Sequence, residues 1–300
     1  MRAVVFDRYG PPDVLRIAGL PDPEPGPGQV RVRVHAAGVQ PFDIGVRTGQ
    51  MPWVQATFPQ QIGQEYSGVV DLLGPGVEGI EVNTPVLGST MLNGVAELVT
   101  VPAENVVAKP DSLDFPTAAG LVAASQTASG ALLELRVAAG DVLLVHAGAG
   151  SVGTIAIQLA RRAGATVIGT ASPGNHDYLR ELGAVPVAYG EGLVDAVRAT
   201  GLTPTVALDA AGGEAMAQSV ALGVAPDRVG TIVDDKAAAD LGTRVVRAGR
   251  SPQRLAEVVA LAGRGEIVMP VRTFPLDAIV EAHTAVESRH GRGKVVVTLG

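Results

Sequence analysis

The sequence predicts an α/β protein in which a β-rich domain precedes a doubly wound parallel sheet. After residue 141, short apolar runs alternate with longer helical patterns, which is typical of parallel strands covered by helices. Across the first hundred residues, short strand-like runs are instead separated by turns rich in proline and glycine, as in a small barrel. A length of 300 residues is sufficient for two domains of ordinary size.

The β-rich part begins with an apolar run and continues with alternating residues. Val30, Val32 and Val34 alternate with polar residues, which is the period of a half-exposed strand. The segment Pro21–Gly28 holds too many turn-forming residues for a helix or a central strand. Strands are therefore predicted at Arg2–Phe6, Val30–His35, Gly68–Leu73 and Ala96–Val101.

The parallel sheet is predicted from six strand-like runs that alternate with helical patterns. The strands are predicted at Val142–His146, Thr166–Thr170, Val185–Tyr189, Val206–Ala210, Arg228–Val233 and Arg244–Arg247. Helices are predicted at Ser151–Ala163, His176–Leu182 and Ser251–Ala262, the last with a serine cap followed by proline. Lys294–Leu299 is a final strand candidate that could return to the first domain.

The composition excludes several classes of protein. Hydrophobic residues make up 47% and charged residues 18%, so a large core is expected. The net charge of −7, without a basic block, argues against binding to nucleic acid. The absence of cysteine excludes disulfides, thiolate zinc sites and a cysteine nucleophile. No signal-peptide pattern and no apolar span of about 20 residues appears, so we expect a soluble, cytoplasmic protein without a membrane partner.

A glycine-rich turn is the most specific single motif. Gly148, Gly150 and Gly153 fit G-x-G-x-x-G, follow an apolar strand and open a helix, as in a Rossmann fold. These glycines permit a tight turn, close approach to a pyrophosphate, and close packing of helix on strand. The N–H groups at the helix N-terminus favour the bound diphosphate. The residues predicted to bind a dinucleotide are Gly148, Ala149, Gly150, Ser151, Val152 and Gly153. The alternative is an ordinary strand–helix turn.

The end of the second parallel strand favours NADPH over NADH. NAD enzymes usually place an acid there for the ribose 2′-hydroxyl, and the segment Gly169–Asn175 contains none. A carboxylate would repel a 2′-phosphate, so its absence favours NADP. Thr170, Ser172 and Asn175 are the predicted contacts, with Ser172 and Asn175 as neutral donors to that phosphate. Because the segment also lacks lysine and arginine, the charge argument is one-sided.

The whole chain resembles the zinc-free branch of the medium-chain dehydrogenase/reductase superfamily, the NADPH:quinone oxidoreductase group. Besides the glycine turn, the motifs that carry the resemblance are Tyr9–Leu15, Pro25–Val30, Ala37–Asp43, Gly63–Val69 and Arg292–Val295. The resemblance implies a GroES-like catalytic domain over residues 1–114, completed by 266–300, and a Rossmann domain over 115–265. It also implies a homodimer and hydride transfer from NADPH to a quinone or a conjugated carbonyl compound.

Residues at the zinc-ligand positions of the relatives differ in this chain. Zinc-dependent relatives carry a cysteine near residues 39–40 and a histidine at the second position of a G-H-E motif. This sequence has Val39, Gln40 and Gln64 there, and its five histidines have no ligand spacing. Because a catalytic zinc needs three protein ligands and an open position, no metal is expected.

The resemblance also implies individual site residues. Gln40 and Thr127 match polar residues near the nicotinamide, and we expect them to orient that ring, although the relatives often have asparagine at position 40. Tyr189 matches a tyrosine near the 2′-phosphate, and Lys294 matches a lysine close to the cofactor. Tyr66 has the chemistry of a proton donor, but core packing is the favoured interpretation.

Three other polar residues have two readings each. Asp43 could orient a substrate or cap a helix beginning near Ile44. Glu65 matches a carboxylate beside the zinc in relatives, but here it is expected to be a structural hydrogen-bonding group. His146, just before the glycine turn, is expected to be a satisfied core histidine rather than a general acid.

The favoured function is NADPH-dependent reduction of a quinone or an α,β-unsaturated carbonyl compound. Two alternatives stay open. One is a stand-alone enoyl reductase acting on enoyl thioesters, since Thr170–Gly174 also resembles polyketide enoyl-reductase domains. The other is an NADPH-binding protein without enzymatic activity, which the same turn would serve equally well.

Overall fold

A computed structural model describes residues 1–51, 53–289 and 291–300 of the chain. Contacts between residues divide it into two compact units, one formed by Met1–Ala123 with Pro252–Gly300 and the other by Ala124–Ser251. Among the described residues, no helix is both long enough and apolar enough to cross a membrane.

The first unit is β-rich, and its described residues contain three whole helices and part of a fourth. Its N-terminal strands are β1 (Arg2–Phe6), β2 (Leu15–Gly19), β3 (Gln29–Val39), β4 (Gln60–Gln61), β5 (Glu65–Leu73), β6 (Pro85–Ser89), β7 (Leu98–Pro102) and β8 (Val106–Ala108). Helix α1 (Pro41–Thr48) follows β3, and helix α2 (Phe115–Glu134) begins in this unit.

The strands described in the first unit form two sheets. One has the order β2-β1-β4, and in the other β3 pairs with β5, which continues through β6 to β8, while β7 also pairs with β3. In β3 the buried residues Val30, Val32 and Val34 alternate with less buried neighbours, as the sequence predicts. These valines belong to the unit's main hydrophobic cluster, together with Phe6 and Tyr66.

The second unit is built on one parallel sheet. Its strands are β9 (Val142–Val145), β10 (Thr166–Thr170), β11 (Val185–Val187), β12 (Val206–Asp209), β13 (Val229–Thr231) and β14 (Arg244–Val245). Its helices are α3 (Ser151–Arg162), α4 (His176–Glu181), α5 (Leu193–Ala199), α6 (Ala215–Ala221) and α7 (Asp235–Leu241). In the order β11-β10-β9-β12-β13-β14, the chain adds strands on one side of β9 and then on the other, which is the doubly wound arrangement.

The C-terminal segment returns to the first unit. It contains α8 (Pro252–Gly263), β15 (Val271–Pro275), α9 (Ile279–Glu287) and β16 (Lys294–Thr298). Strand β16 pairs with β3 in antiparallel fashion, with Val296 opposite Gly38. The α/β fold class, with a Rossmann-type sheet and a GroES-like β-rich unit, is confirmed.

The contacts place the unit boundaries at 123/124 and 251/252, whereas the sequence-based boundaries are at 114/115 and 265/266. They differ because parts of two helices pack on the β-rich unit. Ala118 and Val122 of α2 cluster with Leu87, and Leu255 of α8 joins the same cluster. The start of α2 and all of α8 therefore belong to the β-rich unit. The domain limits given by the resemblance stay a prediction.

Candidate functional site

The glycine turn joins β9 to α3 and is shaped by hydrogen bonds from its own backbone. The Gly148 N–H donates to the carbonyl of Thr170 at 2.8 Å, and the Ala147 N–H donates to the Thr170 hydroxyl at 3.1 Å. Thr170 is 1% exposed, and Ala147 holds a positive φ of 58°. Thr170 thus fixes the shape of the turn by accepting these two hydrogen bonds.

Two glycines of the turn meet different surroundings. A β-carbon on Gly153 would overlap the carbonyl oxygen of Ala147 and lie 2.7 Å from the Cα of Gly148, so helix and strand require glycine here. A β-carbon on Gly150 would meet only the Ala147 oxygen, at 3.4 Å. Gly150 also has φ of −71° and ψ of 170°, which other residues adopt. The protein itself therefore has room for a β-carbon at Gly150.

The structure places the other predicted cofactor contacts of the second unit at neighbouring strand ends. Ser172 and Asn175 follow β10, and the Asn175 amide donates to the Ser172 hydroxyl at 3.3 Å. Tyr189 lies beyond the end of β11 and is 61% exposed. Because β9, β10 and β11 are adjacent and parallel, their carboxyl ends form one edge of the sheet. Thr127 lies half-buried in α2.

His146 lies just after β9 and belongs to the interior of the second unit. It is 2% exposed, and its Nε2 lies 2.8 Å from the Ser219 hydroxyl. Because Ser219 donates its proton to the carbonyl of Ala215 at 2.9 Å, Nε2 donates to Ser219. Burial lowers the pKa of His146 to about 4, with Asp209 opposing the shift. The structure fits a satisfied core histidine.

A buried polar cluster in the first unit contains Gln40, Asp43, Gln64, Glu65 and Lys294. The Lys294 ammonium pairs with the Glu65 carboxylate, and both side chains are almost fully buried. Lys294 also donates to Oε1 of Gln40 at 3.2 Å. The second Glu65 oxygen accepts the N–H of Ala123 at 2.6 Å, so Glu65 is the structural acceptor that the sequence suggests.

The cluster continues from Gln40 toward the surface. Nε2 of Gln40 donates to Oε1 of Gln64 at 2.8 Å, and Nε2 of Gln64 lies 3.8 Å from the Met91 sulfur. Gln64 is 7% exposed, whereas Met91 is 64% exposed. The sequence brings Gln40 to this place because it directly precedes α1, and Gln64 because it directly precedes β5.

Asp43 stabilises the start of α1 from within the same cluster. Its Oδ2 accepts the N–H of Gln40 at 2.9 Å, which is a capping interaction. Asp43 is 1% exposed, and burial raises its pKa to about 7, with this backbone hydrogen bond and Lys294 opposing the shift. Of the two readings from sequence, the structure shows the cap, and α1 begins at Pro41, earlier than Ile44.

The donor set of the buried polar cluster does not fit zinc. The oxygens of Gln40 and Gln64 already accept hydrogen bonds, and Glu65 already faces a cation, Lys294. Zinc prefers thiolate, imidazole and carboxylate ligands. Among the described residues, which leave out His290, no group of three or more histidine, cysteine, aspartate or glutamate residues could hold a metal ion.

Sequence reasoning found Gln40 and Lys294 but missed how the cluster is connected. It treated Gln64 only as the residue replacing a zinc ligand, and it did not select Met91. The adjacent pair Gln64 and Glu65 was a usable signal, because a buried carboxylate needs a cation and a lysine was predicted to lie near the same site.

The fold defines a class: an α/β protein that joins a Rossmann-type sheet to a GroES-like unit. Residues 26–111 match the alcohol dehydrogenase GroES-like domain family. Residues 182–297 match the family described as zinc-binding dehydrogenase. The cysteine and histidine with which zinc-dependent relatives hold the metal are replaced in the cluster by Gln40 and Gln64.

Individual relatives narrow the class. The NADPH-dependent alkenal/one oxidoreductase of Arabidopsis thaliana is 31% identical over 333 aligned residues, covering 99% of this chain and 79% of the relative. The solved structure of the quinone oxidoreductase from Coxiella burnetii is 30% identical, with a TM-score of 0.91, and covers 100% of this chain and 99% of that one. The polyketide synthase GfsB of Streptomyces halstedii is 39% identical over 151 residues, which are 50% of this chain and 3% of that protein. The chain belongs to the medium-chain dehydrogenase/reductase superfamily of oxidoreductases, in its quinone-oxidoreductase-like group.

Proposed function

We propose that the protein is an NADPH-dependent oxidoreductase that reduces a quinone or an α,β-unsaturated carbonyl compound without zinc. The observation that supports this most is the buried polar cluster, in which the amides of Gln40 and Gln64 stand where relatives hold zinc ligands and the ammonium of Lys294 lies beside them. NADPH, when bound, supplies the hydride. The alkenal/one and quinone oxidoreductase relatives support the same substrate class.

The glycine turn supports cofactor binding. The helix α3 has twelve residues, and the N–H groups of its first turn, at Ser151, Val152 and Gly153, have no partner in a preceding turn. They would hold the pyrophosphate, which Gly150 admits because it carries no side chain. Ala149, also in the turn, is buried, so it would contribute its backbone rather than its side chain.

The 2′-phosphate contacts are proposed at Ser172, Asn175 and Tyr189, because no acid lies between Gly169 and Asn175. Neutral groups can donate hydrogen bonds to a phosphate without the repulsion that a carboxylate would add. Thr170 would contribute indirectly, since it holds the turn. The expected preference for NADPH over NADH is at least tenfold, about 1.4 kcal/mol.

The nicotinamide would be oriented by Gln40 and Thr127. Lys294 would act through Gln40, because its ammonium fixes which end of the Gln40 amide faces inward. Neither an amide nor an aliphatic hydroxyl ionises near neutral pH, so these residues orient the ring rather than act as acid or base. Homodimerisation and a cytoplasmic location, expected from the sequence, are kept as proposals.

The test is a panel of acceptors with NADPH as the reductant. Steady oxidation of NADPH is expected with quinones and with enones such as trans-cinnamaldehyde, and preincubation with EDTA should leave the rate unchanged. Elemental analysis of the purified protein checks the metal content independently. Tight binding of NADPH without turnover of any acceptor would instead establish a non-enzymatic binding protein, and one zinc per chain would refute the zinc-free proposal.

Enoyl reduction is the second candidate, favoured by the similarity to the polyketide synthase GfsB over half of this chain. The same panel separates the two when it includes an enoyl thioester such as crotonyl-CoA. A kcat/KM for the thioester well above those for quinones and enones would favour the enoyl reductase.

A further inference from the structure

The glycine turn divides the carboxyl edge of the parallel sheet into two sides. On one side, the loops after β10 and β11 carry the proposed 2′-phosphate contacts. On the other side lie the loops after β12 and β13. A doubly wound sheet binds a dinucleotide across this division, with one half on each side. With the adenosine half over β10 and β11, the nicotinamide half of NADPH is directed toward the loops after β12 and β13.

One buried carboxylate holds both of these loops. Asp209, the last residue of β12, is 1% exposed. Its Oδ1 accepts the N–H groups of Ala211 and Gly212, each at 2.8 Å, which fixes the turn after β12. Its Oδ2 accepts the hydroxyl proton of Thr231, the last residue of β13, at 2.7 Å. The carboxylate therefore links the ends of two neighbouring strands.

Thr231 extends this link to the second loop. Its hydroxyl donates to Asp209 and accepts the N–H groups of Val233 and Asp234, each at 3.1 Å. Thr231 is fully buried, so these hydrogen bonds are made in a medium of low dielectric constant, where they are strong. The pair of Asp209 and Thr231 thus fixes the backbone of the two loops relative to each other.

The surface of the two loops is open to a ligand. Gly212 and Gly213 have positive φ angles of 78° and 65°, and a β-carbon on Gly213 would meet no atom within 4 Å. Beside them, Val233 is 50% exposed, and its side chain lies 3.6 Å from a β-carbon placed on Gly212. Open backbone beside an exposed apolar side chain fits a nicotinamide riboside, which combines a flat ring with hydroxyl and carboxamide groups.

From this geometry we infer that Asp209 and Thr231 are positioning residues for the nicotinamide half of NADPH. The pair acts through the loops that it holds, and the backbone of residues 211–213 and the side chain of Val233 contact the nicotinamide riboside. The inference rests on the proposed function for the location of the adenosine half. Loops that are fixed before binding lose less conformational freedom when the ligand arrives, so the pair strengthens the binding of the nicotinamide half alone.

Substitutions within the pair test it with little change in shape. Thr231→Val removes the hydroxyl and keeps a β-branched side chain, whereas Thr231→Ser keeps the hydroxyl. Asp209→Asn keeps an acceptor for the turn after β12 but removes the one that Thr231 uses, so it tests the same link if Thr231→Val fails to fold. Thr205→Val is the control, because the Thr205 hydroxyl makes the same two kinds of hydrogen bond, with Asp141 and Val142, at the other end of β12.

The binding of two ligands separates positioning from general stability. Thr231→Val and Asp209→Asn should raise the Kd for NADPH at least tenfold, about 1.4 kcal/mol. The Kd for 2′,5′-ADP, which lacks the nicotinamide half, should stay within twofold. Thr231→Ser and Thr205→Val should bind both ligands as the wild type does. At saturating NADPH, the anisotropy of the nicotinamide emission should be lower in Thr231→Val, because the ring is held less tightly.

The inference is overturned if the Kd values for both ligands rise together, if neither changes, or if Thr205→Val separates the two ligands as Thr231→Val does. Wild-type protein that binds neither ligand would overturn both the inference and the proposed function. The expected separation, in a protein that oxidises NADPH with no acceptor, would overturn only the proposed enzymatic activity.

Discussion

The glycine turn and the buried polar cluster are built in opposite ways. The turn is a backbone structure, which needs glycine at position 153 for close packing and is held by Thr170. The cluster is a side-chain structure, in which each polar group is oriented by the previous one from Lys294 outward. A backbone site is specified by a short stretch of sequence, whereas a side-chain site depends on residues far apart in the chain.

The two regions nevertheless share one requirement. A β-carbon on Gly38 would overlap the Glu65 carboxylate, just as one on Gly153 would overlap the turn. Each site therefore needs one glycine for close packing, beside residues that carry the chemistry. Substitutions can separate the packing requirement from the chemical one.

The largest expected effect comes from the cluster. Lys294→Met leaves the Glu65 charge buried without its cation, so the free energy of unfolding should fall by about 3–5 kcal/mol. Adding Glu65→Gln should recover much of this loss, because the carboxylate is then gone while an acceptor for Ala123 remains. Chemical denaturation of both variants measures the effect. Equal destabilisation of the single and double variants would mean that packing, rather than charge, decides the outcome.

The turn should separate binding from folding. Gly150→Val places a side chain against the pyrophosphate position but little against the protein, so the Kd for NADPH should rise about 100-fold, or 2.7 kcal/mol, with the unfolding free energy kept. Gly153→Val meets the backbone of Ala147 and Gly148, and should lower the unfolding free energy by about 1–3 kcal/mol. Fluorescence titration and denaturation, applied to both variants, check the pair. Identical behaviour of the two variants would contradict the distinction.

Among the residues that the structure describes, each unit also buries one histidine, and their acid responses should differ. Burial and Arg47 lower the pKa of His283 to about 3, from an unfolded value of 6.5. Between these values the unfolded chain binds a proton that the folded chain refuses, so stability is present above pH 6.5 and falls as the pH drops, by up to about 1.4 kcal/mol per pH unit. His146 contributes in the same direction but is opposed by Asp209.

His283→Leu should therefore flatten the loss of stability from pH 6 down to about pH 3, whereas His146→Leu should flatten it only down to about pH 4. Asp43 acts in the opposite direction, because its raised pKa costs stability as the pH rises toward 7, and it does so equally in both variants. Unfolding free energies measured at several pH values decide the matter. If the unfolding free energy of His283→Leu falls with decreasing pH as steeply as that of the wild type, this histidine does not cause the loss of stability in acid.

The smallest effect is expected at Tyr66. The ring is fully buried in the hydrophobic cluster, and its hydroxyl has no hydrogen-bond partner among the residues that the structure describes. Burial raises the pKa of Tyr66, so it does not ionise near neutral pH. Tyr66→Phe should change the unfolding free energy by less than about 1 kcal/mol and leave kcat against pH unaltered. Disappearance of one limb of that pH profile would make the phenol the proton donor.

Sequence patterns predicted the second unit better than the first. Strands β1 and β10 match their predictions residue for residue, and most strands of the parallel sheet differ only at their ends. Helix α2 was not predicted, because it is apolar on nearly every side: consecutive residues from Leu121 to Ser125 are all buried, so no amphipathic period is visible. Helices α5, α6 and α7 are seven residues each, too short for a periodic signal.

The site divides in the same way. The glycine turn is local in sequence, so its pattern and context could be recognised together. The bonds among Gln40, Gln64 and Lys294 join segments up to 254 residues apart, and the pairing of β3 with both β16 and β5 brings them together. The residue-by-residue assignments of cofactor contacts stay predictions.

The position of Lys294 has a consequence for protein engineering. Installing a catalytic metal in this scaffold would require cysteine or histidine at residues 40 and 64, but those changes alone would place a dication beside a buried ammonium. Like charges in a poorly screened interior repel strongly. An engineer must therefore replace Lys294 first, which leaves Glu65 without its counter-ion until the metal arrives. The intermediate variant is the least stable one, so any stepwise route from the metal-free to the metal-binding protein passes through a less stable variant.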